Sequence, residues 1–398
     1  MQHDTLAAVR SFMKDQRIDG WLVYDFRGNN SVFSRILGGR KPSTRRAFIW
    51  IPADGEPVLL HNGLDEVSFR AAKINKELFL SWRELHAWLS KKLAGKGRIA
   101  MEYCPGATLP IASVVDGGTL DLVRAMGVEV VSSANLIQIS AAIWSAQAVK
   151  NHEHASREVN RIKDEAFALI GSKVRAGVKI TEREVQCFIL DGFKKMNFEI
   201  PDGGEPIVGA NEHSGDPHFE VQAEGSSVFA QGDWVLIDLW ARVPGEENIY
   251  SDVTWTGFVG RDVPEKHMKV FRTVLAARDA SLKCATDAWN AKRAVQGWEL
   301  DDAARNVIVN AGHEQHLRHR TGHSLSAGMM VHGIGMNLDN LETHDTREML
   351  PGIGFTIEPG IYIPGAGGFG VRSEINVYVD PAKGPIVTSG IQRDPILV

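Results

Sequence analysis

The sequence predicts two consecutive domains, an α/β domain over residues 1–142 and an α+β domain with an internal duplication over residues 143–398. Three observations lead to this fold class. With 398 residues, the chain is longer than one hydrophobic core usually serves. Short apolar runs alternate with helical patterns in the first part, whereas the second part combines long amphipathic helices with glycine-rich strands. Within the second part, one short pattern occurs twice.

Composition and charge narrow the classes of function. Hydrophobic residues make up 43% of the chain and charged residues 23%, which is typical of a globular protein. The net charge of −5 argues against a nucleic-acid partner. No run reaches the roughly 18–20 apolar residues of a membrane helix, and residues 1–17 lack the apolar core of an export signal. We therefore expect a cytoplasmic protein without a membrane partner. Its three cysteines should be buried free thiols: Cys104, Cys187 and Cys284.

The first domain is predicted from apolar runs of strand length. These runs are residues 20–24, 47–51, 57–60 and 98–101. Residues 82–93 have helical spacing, and the stretch 25–46, rich in Asn, Gly, Ser and Arg, predicts long loops.

In the second domain, Ser145 can cap a long amphipathic helix that ends at Gly177. Thr181 and Glu184 form a capping-box pattern for the next helix. Further helices are predicted at 264–286 and 299–311, and a mostly antiparallel sheet is predicted from strands within 205–260 and 352–379.

The repeated pattern delivers four acids. Residues 232–238 and 352–358 each begin with glycine and end with Ile followed by an acid, Asp238 in one copy and Glu358 in the other. Downstream, Ser-Asp252-Val matches Ser-Glu374-Ile. The two acids are 14 residues apart in the first copy and 16 in the second. This arrangement indicates a duplicated hairpin that carries two carboxylates in each copy.

A carboxylate within an apolar strand is costly to bury unless a cation meets it. The alternative for a single acid is an edge strand that turns it towards solvent. Four converging carboxylates would repel each other and stay protonated unless metal ions supplied positive charge.

His323 follows a helical segment and adds an imidazole. His319 and His323 could instead form a helical zinc pair, but Gly322 argues against a continuous helix. The other alternative is a surface cluster of His313, His316 and His319, and it is the interpretation we keep for His313 and His316.

Four carboxylates and one imidazole suit a pair of Mn, Co, Fe or Zn ions, and the thiolates of a structural zinc site are missing. Two ions about 3.5–4 Å apart can share a hydroxide and polarise a carbonyl, which is the chemistry of attack on an amide.

These residues resemble the motifs of the creatinase, aminopeptidase P, prolidase and methionine aminopeptidase superfamily, whose catalytic domain has the "pita-bread" fold. The resemblance covers the second half of the chain. It is carried by Ile237-Asp238, Ser251-Asp252-Val253-Thr254, Thr321-Gly322-His323, Thr356-Ile357-Glu358-Pro359-Gly360-Ile361-Tyr362 and Gly370-Val371-Arg372-Ser373-Glu374. The first 142 residues resemble the creatinase-like amino-terminal domain more weakly.

The resemblance implies a role for each of these residues. Asp238 would chelate one ion, His323 and Glu358 the other, and Asp252 and Glu374 both. The hydroxide shared by the ions would be the nucleophile, and Glu358 would manage its proton. The ions are expected to be manganese, with cobalt or zinc as alternatives. Four residues would act on the substrate side: His218 and His332 at the tetrahedral intermediate, His319 in the pocket, and Arg372 in orienting Glu374 or the substrate.

The chain departs from the family pattern at several positions that bear on substrate preference. The turn after the first aspartate is replaced by Leu239-Trp240-Ala241-Arg242, and Trp255 stands where an arginine is common. Tyr250 is two residues before Asp252 instead of three, and His332 follows His323 by nine residues, slightly more than usual.

We predict cleavage of the bond between an amino-terminal residue and proline in short peptides by a dipeptidase of the prolidase type; aminopeptidase P activity on longer peptides is the alternative. A dipeptidase must hold the proline carboxylate, for which an arginine fork is suited. The candidates are Arg347 and, from a neighbouring subunit, Arg27, Arg45 and Arg46. Metal-free creatinase-like chemistry and a non-catalytic binding protein are further alternatives, which the retention of all five ligands disfavours. By resemblance, we expect a homodimer.

Overall fold

The structure is a computed structural model that describes residues 3–39 and 43–398. The chain divides into two compact units, Met1–Ala141 and Ala142–Val398. Each unit has its own sheets and its own buried clusters of apolar side chains.

A mixed six-stranded sheet forms the centre of the first unit. Its strands are β1 (Gly20–Phe26), β2 (Arg46–Pro52), β3 (Val58–Asn62), β4 (Asn75–Phe79), β5 (Arg98–Met101) and β6 (Glu129–Ser132), in the spatial order β4-β3-β2-β1-β5-β6. Strands β1, β2 and β3 pair antiparallel, and the other pairs are parallel. The helices are α1 (His3–Asp15), α2 (Ser31–Ile36), α3 (Glu66–Phe69), α4 (Trp82–Leu93), α5 (Gly117–Arg124) and α6 (Ala134–Ala141).

The predicted strands and the helix at 82–93 are present in this unit. The prediction of loops throughout 25–46 was wrong, because Asn30 caps α2 by accepting hydrogen bonds from the backbone N–H groups of Val32 and Phe33. Residues 40–42 of that stretch lie outside the described residues. Strands β4 and β6 were not predicted, since four of the five positions in β4 are exposed and β6 has only four residues, the first of them the exposed Glu129.

Four long helices and three small sheets make up the second unit. The helices are α7 (Ala146–Arg175), α8 (Glu182–Lys195), α9 (Glu265–Asn290) and α10 (Gly297–Asn310). The strands are β7 (Ile207–Ala210), β8 (Trp234–Ala241), β9 (Ser251–Phe258), β10 (Ser324–Leu325), β11 (Gly354–Ile357), β12 (Gly360–Ile363), β13 (Phe369–Arg372), β14 (Ile375–Asp380), β15 (Gly384–Val387) and β16 (Ile396–Leu397). The sheets have the orders β16-β9-β8-β7, β10-β11-β14-β15 and β12-β13, and every pair except β16–β9 is antiparallel.

The predicted helix starts are confirmed in this unit. The Ser145 side chain accepts a hydrogen bond from the Ala148 N–H at the start of α7, and Thr181 and Glu184 form the capping box of α8. The α+β class and the mostly antiparallel sheets are therefore as predicted.

Alternation along β8 and β9 separates a core face from a polar face. On β8, Val235, Ile237 and Leu239 pack in one apolar cluster with side chains of α7 and α8. Side chains alternate along a strand, so Asp238 points to the opposite face. On β9, Val253 belongs to the same cluster, so Asp252 and Thr254 share the other face.

The second hairpin follows the same rule. On β11 and β14, the residues that pack with side chains of α9 and α10 are Phe355, Ile357, Ile375, Val377 and Val379. The alternate residues Thr356 and Asn376 therefore face away from that core. The second copy differs from the first because the β12–β13 hairpin is inserted between its two strands.

The two four-stranded sheets meet through β9 and β14. The Glu374 N–H donates to the Thr254 carbonyl oxygen at 3.2 Å, and the Asp252 N–H donates to Asn376 Oδ1 at 3.0 Å. The polar faces of the two hairpins are thereby brought together.

Cys104 is buried, but Cys187 is exposed and Cys284 partly exposed, so the predicted burial of the thiols was wrong for the last two. Cys187 lies at an exposed position of α8, whereas Cys284 on α9 packs partly against an apolar cluster of the second unit. Among the described helices, none has both the length and the apolar composition required to cross a membrane.

Candidate metal centre

Three of the four predicted carboxylate ligands lie around the imidazole ring of the fifth ligand, His323. His323 Nε2 is 3.4 Å from Asp252 Oδ2 and 3.3 Å from Glu358 Oε1. One ligand atom each of Asp252, His323 and Glu374 lies within 4.8 Å of the other two, and all three residues are buried. These side chains come from both hairpins and from the residue that precedes β10.

Thr254 connects the fifth acid, Asp238, to this group. Its hydroxyl lies 2.9 Å from Asp238 Oδ1 and 2.8 Å from Glu374 Oε2, and it accepts a hydrogen bond from Arg372 Nε at 2.8 Å. A hydroxyl has one proton, so it can donate to only one of the two carboxylates at a time. The role of Thr254 was not predicted, although its position two residues after Asp252 on a strand places both on the same face.

Arg372 is buried beside Asp238 rather than directed at Glu374. Its Nη2 forms an ion pair with Asp238 Oδ2, and its Nη1 donates to the Tyr362 hydroxyl oxygen at 3.0 Å. Its link to Glu374 passes through the Thr254 hydroxyl. The ion pair with Asp238 was not predicted, and the predicted role of Arg372 in orienting Glu374 or the substrate stays a prediction.

Tyr362 and His319 extend the chain of hydrogen bonds that starts at Arg372. His319 Nδ1 lies 2.6 Å from the Arg320 carbonyl oxygen and so carries a proton, which leaves Nε2 to accept from the Tyr362 hydroxyl at 2.7 Å. Burial lowers the pKa of His319 to about 4. Both ring nitrogens are used within the protein, so the predicted substrate contact is not available to His319 in this arrangement.

Replacing Tyr362 by phenylalanine tests this chain. We expect Tyr362→Phe to lower the free energy of unfolding by about 1–3 kcal/mol, because Arg372 Nη1 and His319 Nε2 each lose a buried partner. Urea unfolding measures the change. Tyr378→Phe is the matched control, since that buried ring stacks on Trp144 and its hydroxyl is not part of the Arg372 chain; an equal loss in both variants would contradict the prediction.

The two other histidines predicted on the substrate side lie next to the cluster. The His332 ring is centred 4.1 Å from the His323 ring. The charge of His323, followed by desolvation, lowers the pKa of His332 to about 3, so His332 is neutral at pH 7. His218 is exposed, and its charge contributes to lowering the pKa of both His319 and His332.

Arg347 does not have the predicted role. Its exposed fraction is 1%, and its Nε and Nη2 donate to the buried Asp345 carboxylate. Its Nη1 donates to the Ile334 carbonyl oxygen at 2.7 Å. The guanidinium therefore stabilises the chain around residues 334–347 and has no free fork for a substrate carboxylate. The other candidates, Arg27, Arg45 and Arg46, lie in the first unit and remain predictions.

Burial and mutual repulsion shift the pKa values of the acids. Burial, opposed by Arg372 and reinforced by Asp252 and Glu358, raises the pKa of Asp238 to about 7. Burial also raises the pKa of Asp252, and it raises the pKa of Glu374 well above its usual range with a contribution from the charge of Asp252.

Glu358 and His323 are shifted towards their charged forms. Burial opposes ionisation of Glu358, but electrostatic interactions with His323, His319 and Arg372 outweigh it and lower its pKa. Burial likewise opposes protonation of His323, and Asp252 and Glu358 overcome it to raise its pKa. The site thus contains four carboxyl groups, but only Arg372 and His323 are available as cations to stabilise their ionised forms.

The residues fit divalent metal ions. Glu374 Oε1 is buried without a hydrogen-bond partner, which is costly for a carboxylate oxygen unless a cation binds there. The donor atoms are carboxylate oxygens and one imidazole nitrogen, the set preferred by Mn, Co, Fe and Zn. The His323 Nδ1 contact with the Ser324 carbonyl oxygen at 3.1 Å places the proton on Nδ1 and leaves Nε2 free to coordinate.

Comparisons with known proteins agree with this geometry. Residues 154–381 match metallopeptidase family M24. The chain is 25% identical over 377 residues to a putative dipeptidase, YkvY, of Bacillus subtilis, covering 92% of this chain and 95% of that protein. It is 30% identical over 222 residues to an Xaa-Pro dipeptidase of Pyrococcus horikoshii, covering 56% of this chain and 57% of that protein. The crystal structure of dipeptidase PepE from Mycobacterium ulcerans superposes with a TM-score of 0.66 at 22% identity, covering 99% of this chain and 97% of that one.

Proposed function

Since the chain belongs to metallopeptidase family M24 and has its pita-bread fold, we propose that it hydrolyses the bond between an amino-terminal residue and proline in short peptides. Two divalent ions would be held by the five predicted ligands, Asp238, Asp252, His323, Glu358 and Glu374. We further propose that residues 1–142 form the creatinase-like domain and residues 143–398 the catalytic domain.

One observation carries this proposal. The ligand atoms of Asp252, His323 and Glu374 lie within 4.8 Å of one another in a buried site, and Glu374 Oε1 has no partner. A protein without a metal ion gains nothing from keeping these groups together, because their mutual repulsion opposes folding.

Each neighbouring side chain has a distinct part in the proposed reaction. Bound divalent ions supply the Lewis acidity that activates water and polarises the scissile carbonyl group. Arg372 and Thr254 fix the carboxylate of Asp238 in its ligating position. Glu358, whose pKa is lowered, is ionised at neutral pH and can take a proton from the attacking water.

The histidines on the substrate side would act on the carbonyl oxygen. His332 is neutral at pH 7 and offers one N–H for a hydrogen bond to the developing oxyanion. His218 would approach the same oxygen from the segment before β8. His319 orients Tyr362 instead of the substrate.

The names of relatives support a dipeptide substrate. One is an Xaa-Pro dipeptidase of Pyrococcus horikoshii, and the full-length match of Bacillus subtilis is a putative dipeptidase. Since Arg347 is engaged with Asp345, the proline carboxylate would be held by Arg27, Arg45 or Arg46 of a neighbouring subunit. This assignment requires the homodimer that we propose.

We propose manganese as the bound ion, with cobalt or zinc as alternatives, because oxygen donors predominate in the site. The free thiols are consistent with the proposed cytoplasmic location.

The test compares Ala-Pro with Ala-Pro-Ala as substrates of the purified protein with added Mn²⁺, before and after chelation. We expect cleavage of Ala-Pro that is lost on chelation and regained with the metal. Equal or faster cleavage of Ala-Pro-Ala would identify an aminopeptidase P. Activity that is unchanged by the chelator would indicate creatinase-like chemistry, and absence of cleavage in both states would favour a binding protein.

A further inference from the structure

The segment that carries His218 is tied to the start of α8. Residues 211–219, which we call the His218 segment, connect β7 to the stretch that precedes β8. We propose that Glu182 and His213 form a clamp that positions His218 through Phe219. This inference rests on the proposed function, because His218 is one of its substrate-side residues.

Glu182 is buried with an exposed fraction of 0%, although it is the first residue of a helix. Its carboxylate accepts hydrogen bonds from the Ala210 N–H at 2.8 Å and the Ser227 N–H at 3.0 Å. The helix end does not require this residue, because Thr181 and Glu184 already form the capping box. The carboxylate therefore joins the two chain segments that flank the His218 segment.

His213 brings the His218 segment itself to this carboxylate. Its Nδ1 lies 2.8 Å from Glu182 Oε1 and 3.0 Å from Oε2, so Nδ1 carries the proton and donates it. The His213 ring stacks on the Phe219 ring, with centroids 4.2 Å apart and planes 21° apart. Glu182 thus fixes His213, and His213 provides the surface against which Phe219 packs.

Phe219 is the neighbour of His218, so its position determines where His218 can reach. Asp216 accepts two hydrogen bonds here. Its Oδ1 accepts from the His218 N–H at 3.0 Å, and its backbone carbonyl oxygen accepts from the Phe219 N–H at 3.2 Å. These bonds shape a local turn but do not attach it to the rest of the unit. The stacking on His213 supplies one attachment, and Arg372 Nη1, which donates to the Pro217 carbonyl oxygen at 3.4 Å, supplies another.

The beginning of the segment is anchored independently of the clamp. Ser214 Oγ accepts a hydrogen bond from the Gly370 N–H at 2.8 Å. The Asn211 side chain donates through Nδ2 to Asp233 Oδ1 and accepts from the Trp234 N–H through Oδ1. Loss of His213 should therefore leave the fold and the metal ligands in place and release mainly residues 216–219. That expectation separates a positioning role from a general structural one.

The experiment is a double-mutant cycle of His213→Ala and His218→Ala, with kcat and KM for Ala-Pro measured in the manganese-loaded protein. We expect His213→Ala to lower kcat/KM by about 10-fold or more and to change the thermal midpoint by less than about 2 °C. In the His218→Ala background the same change should cost less than about twofold, because the effect passes through His218. His213→Gln, whose amide can donate to Glu182, should recover part of the loss. His316→Ala is the control, since that histidine pairs with His313 outside the site.

Hydrogen exchange of the same variants gives a second readout that does not depend on catalysis. His213→Ala should raise the exchange rate of amides in residues 216–222 by about 10-fold or more, with no change in peptides from β8, β9 or β14. Unchanged exchange in this segment, or additive effects in the cycle, would overturn the clamp. If no Xaa-Pro peptide is cleaved by the wild-type protein, the proposed function fails, whereas the exchange result still decides whether the clamp holds the segment.

Discussion

Glu374→Gln is expected to reduce kcat/KM for Xaa-Pro cleavage by roughly a factor of 1,000, with loss of bound manganese. The amide keeps the shape of the side chain but removes the negative charge and one ligating oxygen. Glu374 is proposed to bind both ions, and its buried Oε1 has no other partner. Metal content by elemental analysis and steady-state kinetics give the two measurements.

The same substitution should have the opposite effect on the stability of the metal-free protein. Burial, reinforced by Asp252, Glu358 and Asp238, raises the pKa of Glu374 well above its usual range, so its ionised form opposes folding. After removal of the metal, Glu374→Gln should therefore unfold at a higher temperature than the wild type at pH 8. If Glu374 served only to hold the fold together, its substitution would lower the stability of both the metal-loaded and the metal-free protein.

Glu129→Gln is the control, because it makes the same exchange on β6, where the side chain is 63% exposed. It should leave metal content and kinetics unchanged. Retention by Glu374→Gln of more than about a tenth of the activity with full metal content would show that Glu374 is not a ligand.

The helices and central strands of the fold could be predicted because local signals specify them. Ser145 and the pair Thr181 and Glu184 mark helix starts through their capping chemistry, which depends only on residues three positions apart. Strands β4 and β6 lack such a signal: β4 is mostly exposed, β6 has only four residues, and both are stabilised by pairing with strands distant in sequence. Helix α2 was missed although Asn30 is a local capping signal, because the surrounding stretch is rich in Asn, Gly, Ser and Arg.

The ligands could be predicted because strand alternation and the repeated pattern constrain them. Once Ile237 and Ile357 are core residues, the next side chain on each strand must face the other way. What could not be predicted was which polar groups meet across the two hairpins. Arg372 was expected to orient Glu374 or the substrate. Its ion pair with Asp238 was not expected, because that contact depends on how β13 lies relative to β8.

Tertiary contacts also decided the roles of Arg347 and His319. In sequence, Arg347 is one of several arginines near polar residues, and nothing local reveals that Asp345 is fully buried beneath it. His319 stands four residues before His323, yet the Tyr362 hydroxyl occupies its Nε2. The burial of a partner is a property of the folded chain, so sequence patterns could identify these residues but not assign their contacts.

The stabilisation of the protein by manganese should grow as the pH rises from about 6.5 to 8.5, increasing the difference in thermal midpoint between loaded and metal-free protein by roughly 5–10 °C. In the metal-free protein, the pKa of Asp238 is raised to about 7 and that of Glu374 lies well above its usual range, both chiefly by burial. A carboxyl group with a raised pKa in the folded state holds its proton while the unfolded chain has already lost it. Stability therefore falls as the pH rises towards the folded-state pKa.

His323 contributes with the same sign. Although burial opposes its protonation, Asp252 and Glu358 raise its pKa, so the stability it adds is present below its unfolded pKa of about 6.5 and is lost above it. Glu358 has a lowered pKa, so its contribution is lost only at acidic pH, outside this range. Metal binding requires the deprotonated ligands, so the affinity for manganese rises over the same interval in which the metal-free protein weakens.

Groups remote from the site also titrate, but they titrate equally in both forms. Glu102 in the first unit has a pKa raised to about 7 by burial, and burial lowers the pKa of His152 to about 4. Their effects cancel in the difference between loaded and metal-free protein at each pH, measured by thermal unfolding after dialysis against metal-free buffers. Glu374→Gln should abolish this difference at every pH, because the variant is expected to lose its bound manganese. A difference that stays constant from pH 6.5 to 8.5 in the wild type would mean that manganese does not bind at the buried carboxylates, since binding there must be coupled to their protons.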